Sequence, residues 1–202
     1  MSAHRDPLAE YRRRRDFERT AEPTPRPGRE GAEPVFVVQI HDATRLHFDF
    51  RLEADGVLKS WAIPKGPSGN PHDRRLAMPT EDHPFEYRDF EGVIAAGEYG
   101  AGPVLIWDEG TWHLNRGGSA AEALRRGHLS FTLGGHKLRG GWALTRFRGG
   151  AEREAWLLTK REDRHATQGN GTPDPTRARS VRTGRTLRQV AAEEAPATPG
   201  EP

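Results

Sequence analysis

Residues 36–63 read FVVQIHDATRLHFDFRLEADGVLKSWAI, and the spacing of apolar side chains in that stretch decides the fold. Successive side chains of an extended strand point to opposite faces. Leu46, Phe48, Phe50 and Leu52 alternate strictly with His47, Asp49, Arg51 and Glu53, so 46–53 is a strand with one core face and one polar face. Upstream, Phe36, Val38 and Ile40 share one face, and Val37, Gln39 and His41 share the other. Asp55-Gly56 supplies a hairpin turn into a third strand at 57–63. Between His41 and Leu46 the residues DATR offer another turn, begun by Asp42.

The same period continues outward. GPVLIWDEGTWHL (102–114) predicts two strands around Glu109-Gly110, and 129–161 supplies the remainder with Gly140-Gly141 as a tight turn. GEYGAG (97–102) reads as a turn. One short helix is expected, because Ser119 and Glu122 form a capping-box pattern, AEALRR is made of helix formers and Gly127 can end it. Many short strands and one helix predict an all-β compact β-barrel over 34–165. The five tryptophans fall in strand-like runs and are expected to pack it. The flanks are rich in proline, glycine and charge. They are expected to be a flexible basic arm over 1–33, with YRRRR at 11–15, and a disordered tail over 166–202.

Composition narrows the chemistry. Hydrophobic residues make up 34% of the 202, below the ~45–50% usual for globular chains, so part of the chain is expected to stay out of the core. There is no cysteine, which excludes disulfides, thiolate metal sites and a cysteine nucleophile. No apolar run is long enough to span a membrane, and the first residues lack the apolar segment of a secretory signal, so a cytoplasmic protein is expected. The net charge is only +2, yet the basic residues cluster and the isoelectric point is 9.2, which suits a polyanionic partner.

The polar face of 46–53 sets His47, Asp49 and Arg51 in a row at steps of about 6.6–7 Å. Imidazole and carboxylate are metal-ligand types, whereas guanidinium forks onto oxyanions. In one straight strand His41 would lie ~20 Å from His47, but a hairpin through DATR brings it alongside. His41, His47 and Asp49 then make a two-histidine, one-carboxylate site with open positions. The plainer alternative is a solvated strand face with cross-strand ion pairs. EDHPFEY (81–87) contributes His83 and Tyr87, a proton donor and an oxyanion hydrogen-bond donor. Lys65 and Arg75 add basic groups nearby in sequence. These residues alone leave three readings open. One is a metal-dependent phosphoesterase. Another is a non-haem iron oxygenase using the His-x-Asp pair. The third is a non-catalytic nucleic-acid-binding β-barrel.

The runs HDATRLHFDFRLEADGVLKSWAIPKGPS (41–68), EDHPFEYRDFEG (81–92) and GEYGAGPVLIWDEGTW (97–112), with RRDFERTAEP near the N-terminus, resemble the 3′-phosphoesterase domain of bacterial DNA ligase D. The resemblance covers roughly 11–165. It implies a β-barrel with an active-site groove on its outer surface. It also implies a hydrolase that heals DNA 3′ ends in break repair by non-homologous end joining. With a divalent metal, typically Mn²⁺, such an enzyme removes a 3′-terminal ribonucleoside, and it also removes a 3′-phosphate, leaving a ligatable 3′-OH. By resemblance, His41, His47 and Asp49 hold the metal, Arg51 and His83 bind phosphate (Arg51 through both arms of its fork), and Tyr87 supports activity. Lys65 and Arg75 fall at further functional basic positions. Arg15 and Asp16 match an N-terminal motif, so 11–20 would fold over the groove on substrate. The implied partners are primer-template 3′ ends, including 3′-ribonucleotide ends, a DNA ligase and the Ku end-binding protein. Without a ligase or polymerase module, the expectation is a stand-alone enzyme that associates with the nucleoid during repair.

Overall fold

Each strand of the computed structural model, which describes residues 6–25, 33–149 and 153–193, follows the alternation of its apolar side chains. The strands are β1 (Val35–Asp42), β2 (Leu46–Ala54), β3 (Val57–Ile63), β4 (Arg75–Pro79), β5 (Gly92–Ile94), β6 (Gly102–Leu114), β7 (His128–Gly135), β8 (Arg139–Arg148) and β9 (Ala155–Lys160). They pair antiparallel in the order β1-β2-β3-β4-β9-β8-β7-β6, and β6 returns to β1, which closes an eight-stranded barrel. β5 pairs with β6 outside that ring. Closure removes the exposed edges that an open sheet would present. Asp55 and Gly56 both take positive φ (54° and 76°) and make the expected turn between β2 and β3.

Two glycine readings change. Glu109-Gly110 does not turn; β6 runs through it as one strand. Gly110 lies opposite both Phe36 of β1 and Gly135 of β7. A Cβ there would fall 2.2 Å from the Gly134 carbonyl, so glycine permits the close passage from one neighbour to the next. Gly140-Gly141 sits inside β8, opposite Leu133 and Thr132, and the turn precedes it. The Asp163 carboxylate fills the space a Gly140 side chain would need, and it accepts the Gly141 N–H at 2.7 Å.

The barrel interior holds Phe36, Ile40, Phe48, Phe50, Leu52, Phe131 and Leu144, and all five tryptophans are buried. A second apolar cluster lies outside the barrel. There Val37, Leu58, Val104 and Ile106 are covered by Leu8, Tyr11, Tyr87 and Phe90. β1 is therefore buried on both faces, which is why FVVQIH alternates only loosely.

The cover comes from segments expected to be free. Helix α1 (Ala9–Arg13) places Leu8 and Tyr11 against the barrel. At the other end, α3 (Leu187–Glu193) sends Leu187 and Val190 into the main core. Arg182 reaches Glu109 and Asp89 from the same C-terminal segment. Residues 6–25 and 166–193 thus dock on the barrel rather than standing away as arms, because a few apolar anchors outweigh their polar surroundings. The rest of the expected arms (1–5, 26–32 and 194–202) lies outside the described residues. The expected helix is present as α2 (Ala120–Arg126), with its Ser119–Glu122 capping box and Gly127 at φ 80°, but it is one of three short α-helices among the described residues. Among the described residues no helix is long and apolar enough to cross a membrane.

Val190 is fully buried and Arg188 is exposed on the same helix. Val190→Asp should lower stability in urea by more than ~2 kcal/mol, the cost of an unpaired buried polar group. Arg188→Ala should stay within about 0.5 kcal/mol of the parent. An unshifted midpoint for Val190→Asp would mean that the C-terminal segment is not seated in the core.

Candidate active site

The β1–β2 hairpin builds the centre. Its register sets His41 opposite His47, Gln39 opposite Asp49 and Val37 opposite Arg51, so DATR turns as its residues suggest. The two imidazole centroids lie 5.0 Å apart. Core burial of Phe48 and Phe50 sends His47, Asp49 and Arg51 to the outer face. That face is not solvated: Arg51 is 2% exposed and Asp49 5%, and His41 is buried too.

Backbone carbonyls orient both histidines. His41 Nε2 lies 2.7 Å from the Gly100 carbonyl, and His47 Nδ1 lies 2.8 Å from the Arg45 carbonyl. A carbonyl only accepts, so these nitrogens carry the ring protons. In the neutral rings the opposite nitrogens carry the lone pairs, and they face Asp49: His41 Nδ1 at 3.6 Å from Oδ2 and His47 Nε2 at 3.4 Å from Oδ1. Three electron-pair donors thus converge within 4.8 Å of one another. Such a gap suits a cation, and carbonyl-oriented histidines are the usual outer support of a metal ligand. Burial works against protonation of His47, but the bond and charge of Asp49 outweigh it and lift its pKa above the ordinary histidine value. Burial pushes Asp49 up, yet the Arg51 charge and the two histidines hold it well below the usual carboxylate range.

Arg51 is clamped. Nε donates to Gln39 Oε1 (2.8 Å), Nη1 to Ser60 Oγ (2.9 Å) and Nη2 to Asp49 Oδ2 (3.0 Å), while its guanidinium lies 4.7 Å from the Tyr87 ring. Gln39, fully buried, donates in turn to the carbonyls of Tyr87 and Phe90. The two-armed grip expected of Arg51 is therefore largely committed to protein, which leaves a donor on Nη2 for a ligand.

His83 enters beside Arg51 through a bridge to Leu58. Its ring nitrogens lie 3.0 Å from Arg51 Nη1 and 3.3 Å from Arg15 Nη2. Burial, then the charges of Arg51 and Arg15, hold its pKa well below the histidine norm, so it is neutral at pH 7. Arg15 is brought by the docked N-terminal segment. It pairs with Glu22 (3.0 Å) and Glu81 (3.0 Å) and lies over the Tyr11 ring. Tyr87 does not line the groove; it is buried, and its hydroxyl donates to Glu22 at 2.9 Å. Burial, then the Glu22 charge, raises its pKa well above the phenol value.

Three expected residues lie elsewhere. Asp16 is exposed and organises the next turn, its backbone carbonyl accepting from Arg19 and Thr20. Lys65 is exposed on the turn after β3. Arg75 pairs with Asp73 at 2.8 Å and with Thr172. None of the three lines the groove of about 600 Å³ that opens over His41, His47, Asp49, Arg51 and His83. Sequence reading missed Gln39, Ser60, Glu22 and Glu81 as members of the network. Gln39 alone carried a signal, a lone amide in an apolar strand.

Titration of the metal-free protein with Mn²⁺, followed calorimetrically, should show one tight site. Asp49→Ala should weaken it by more than about a hundredfold, beyond the 10–100-fold typical of supporting residues. Equal binding by Asp49→Ala would place the cation elsewhere.

Residues 39–146 match the family model described as the DNA Ligase D 3′-phosphoesterase domain. The chain is 51% identical over 162 residues to the multifunctional non-homologous end joining protein LigD of Pseudomonas aeruginosa, an overlap of 79% of this chain and 19% of that protein. It is 45% identical over 158 residues to the multifunctional non-homologous end joining DNA repair protein LigD of Mycobacterium tuberculosis, covering 75% of this chain and 19% of that one. For the Mycolicibacterium smegmatis LigD the identity is 40% over 174 residues, 84% of this chain and 22% of the relative. The chain thus spans about a fifth of the length of these relatives.

Proposed function

This chain belongs to the DNA ligase D 3′-phosphoesterase domain family, and we propose that it is a divalent-metal-dependent hydrolase of DNA 3′ ends. It removes a 3′-terminal ribonucleoside, which leaves the phosphate on the strand, and it removes a 3′-phosphate, which leaves a 3′-OH for ligation in non-homologous end joining. The observation that carries this reading is the convergence of three lone pairs from His41, His47 and Asp49 beside the remaining donor of Arg51. Those ligands would hold the cation, Mn²⁺ by preference, which supplies Lewis-acid charge at a phosphate oxygen.

The chain's own groups do the rest. Arg51, fixed by Gln39 and Ser60, orients the phosphate with its Nη2 donor. Neutral His83 keeps its single ring proton on Nδ1, donated to the Glu81 carbonyl at 2.8 Å, and its Nε2 accepts from Arg15, so it acts by holding the two guanidinium groups at the phosphate; an imidazolium acid is disfavoured in the substrate-free protein. Arg15 adds charge behind His83, and Glu22 with Tyr87 holds Arg15 in place. In hydrolysis a water oxygen bonds to phosphorus, the bond to the departing oxygen breaks, and a proton passes to that oxygen. Lys65 and Arg75, outside the groove, meet the DNA beyond the reacting group, and Asp16 acts by shaping the N-terminal turn. The partners of this reading are a primer-template 3′ end, a ligase that seals the healed end and the Ku end-binding protein at the break.

The test is a 5′-labelled primer-template ending in a ribonucleotide or a 3′-phosphate. Both ends should be processed with Mn²⁺ and neither in excess chelator; equal turnover in chelator would remove the metal from the scheme. Arg51→Lys should lose activity on the order of a hundredfold, as for removal of one preorganised anion donor, because an ammonium cannot reach Gln39, Ser60 and Asp49 together. Full activity of Arg51→Lys would show that the clamp is dispensable.

A further inference from the structure

Tyr99 stands on the rim of the groove, in the loop whose Gly100 carbonyl orients His41. The other two tyrosines of the chain are buried, whereas Tyr99 is 51% exposed. A single exposed aromatic is ordinary, but this one is held. Arg14 Nη1 lies 2.5 Å from its hydroxyl, and the Arg14 guanidinium carbon lies 4.6 Å from the ring centroid. Arg14 is itself anchored by Glu10 and Glu81. The loop is fixed as well: Gly97 and Gly100 take φ of 92° and 78°, and Glu98 pairs with Arg19 at 3.2 Å.

We propose that the exposed ring of Tyr99, backed by Arg14, is the subsite on which the base of the departing 3′-terminal nucleoside stacks. The inference rests on the phosphoesterase reading and adds a substrate contact to it. Stacking on an aromatic tolerates every base, as an end-healing enzyme needs. The direction of the strand is inferred from what backs each of two groove residues, Tyr99 and Arg45. The N-terminal segment stands behind Tyr99 and Glu98, which it contacts through Arg14 and Arg19, so a unit seated on Tyr99 is the end of the strand. Arg45 lines the same groove from the β1–β2 turn, where it is exposed, and among the described residues its guanidinium has no hydrogen-bond partner. Arg45 is there to meet a phosphate of the retained strand. A 3′-phosphate end has no nucleoside beyond its phosphate, so removal of that phosphate does not use the Tyr99 subsite.

The experiment measures kcat/KM with Mn²⁺ on primer-templates ending in a ribonucleotide, in an abasic ribose or in a 3′-phosphate. In the parent protein, loss of the terminal base should slow ribose removal by about tenfold or more, the order of one lost base–aromatic stack. Tyr99→Ala should lower the ratio of ribonucleoside removal to 3′-phosphate removal by a similar factor and cut the abasic end no worse than the parent does. Tyr99→Phe, which keeps the ring, should recover most of the ratio. A parent protein active on both ends and indifferent to the terminal base overturns the subsite alone, as does an unchanged ratio in Tyr99→Ala. A parent protein that cleaves neither end overturns the phosphoesterase reading and the subsite with it.

Discussion

A carboxylate taken out of water is the constraint around which this site is organised. Asp49 is almost fully buried, and an ionised carboxylate in that position is costly unless charge and hydrogen bonds replace its hydration. Arg51 supplies the charge at 3.0 Å. Arg51 is buried in its turn, so its donors need partners, and Gln39, Ser60 and the face of Tyr87 provide them. The sequence of compensations runs on through His83 to Arg15, whose own charge is met by Glu22 and Glu81. Each group is present because the previous one is buried.

The same logic explains the docked N-terminal segment. The outer faces of β1, β3 and β6 are apolar at Val37, Leu58 and Ile106 and require cover. Leu8 and Tyr11 supply it, and the segment they anchor carries Arg14, Arg15 and Glu22 to the network around Glu81 and His83. Shielding from water strengthens each of these ionic contacts. It also leaves His41 Nδ1, His47 Nε2 and Asp49 facing one another across a narrow gap.

Much of this was legible in 36–63. Strict alternation from Leu46 to Glu53 yields the strand and its polar row, and DATR yields the hairpin that pairs His41 with His47. What escaped the sequence depends on distance along the chain. Glu22 and Tyr87 are 65 residues apart and meet only because Tyr11 and Leu8 dock, which composition hid beneath prolines and arginines. Gly110 and Gly140 read as turns because glycine commonly makes them; here each admits a close neighbour inside a strand. Arg75 was grouped with the site by resemblance, and its partners come from 73 and 172. Charge in a sequence names a candidate, and only the barrel's register says which face it joins.

The most direct measurement is anomalous diffraction at the manganese edge from a crystal of this chain grown with Mn²⁺. A single peak within ligating distance of His41 Nδ1, His47 Nε2 and the Asp49 carboxylate, with Gly100 and Arg45 still accepting from the opposite ring nitrogens, is the expected result. A peak away from that trio, or histidines turned so that the other nitrogens face the ion, would contradict the account.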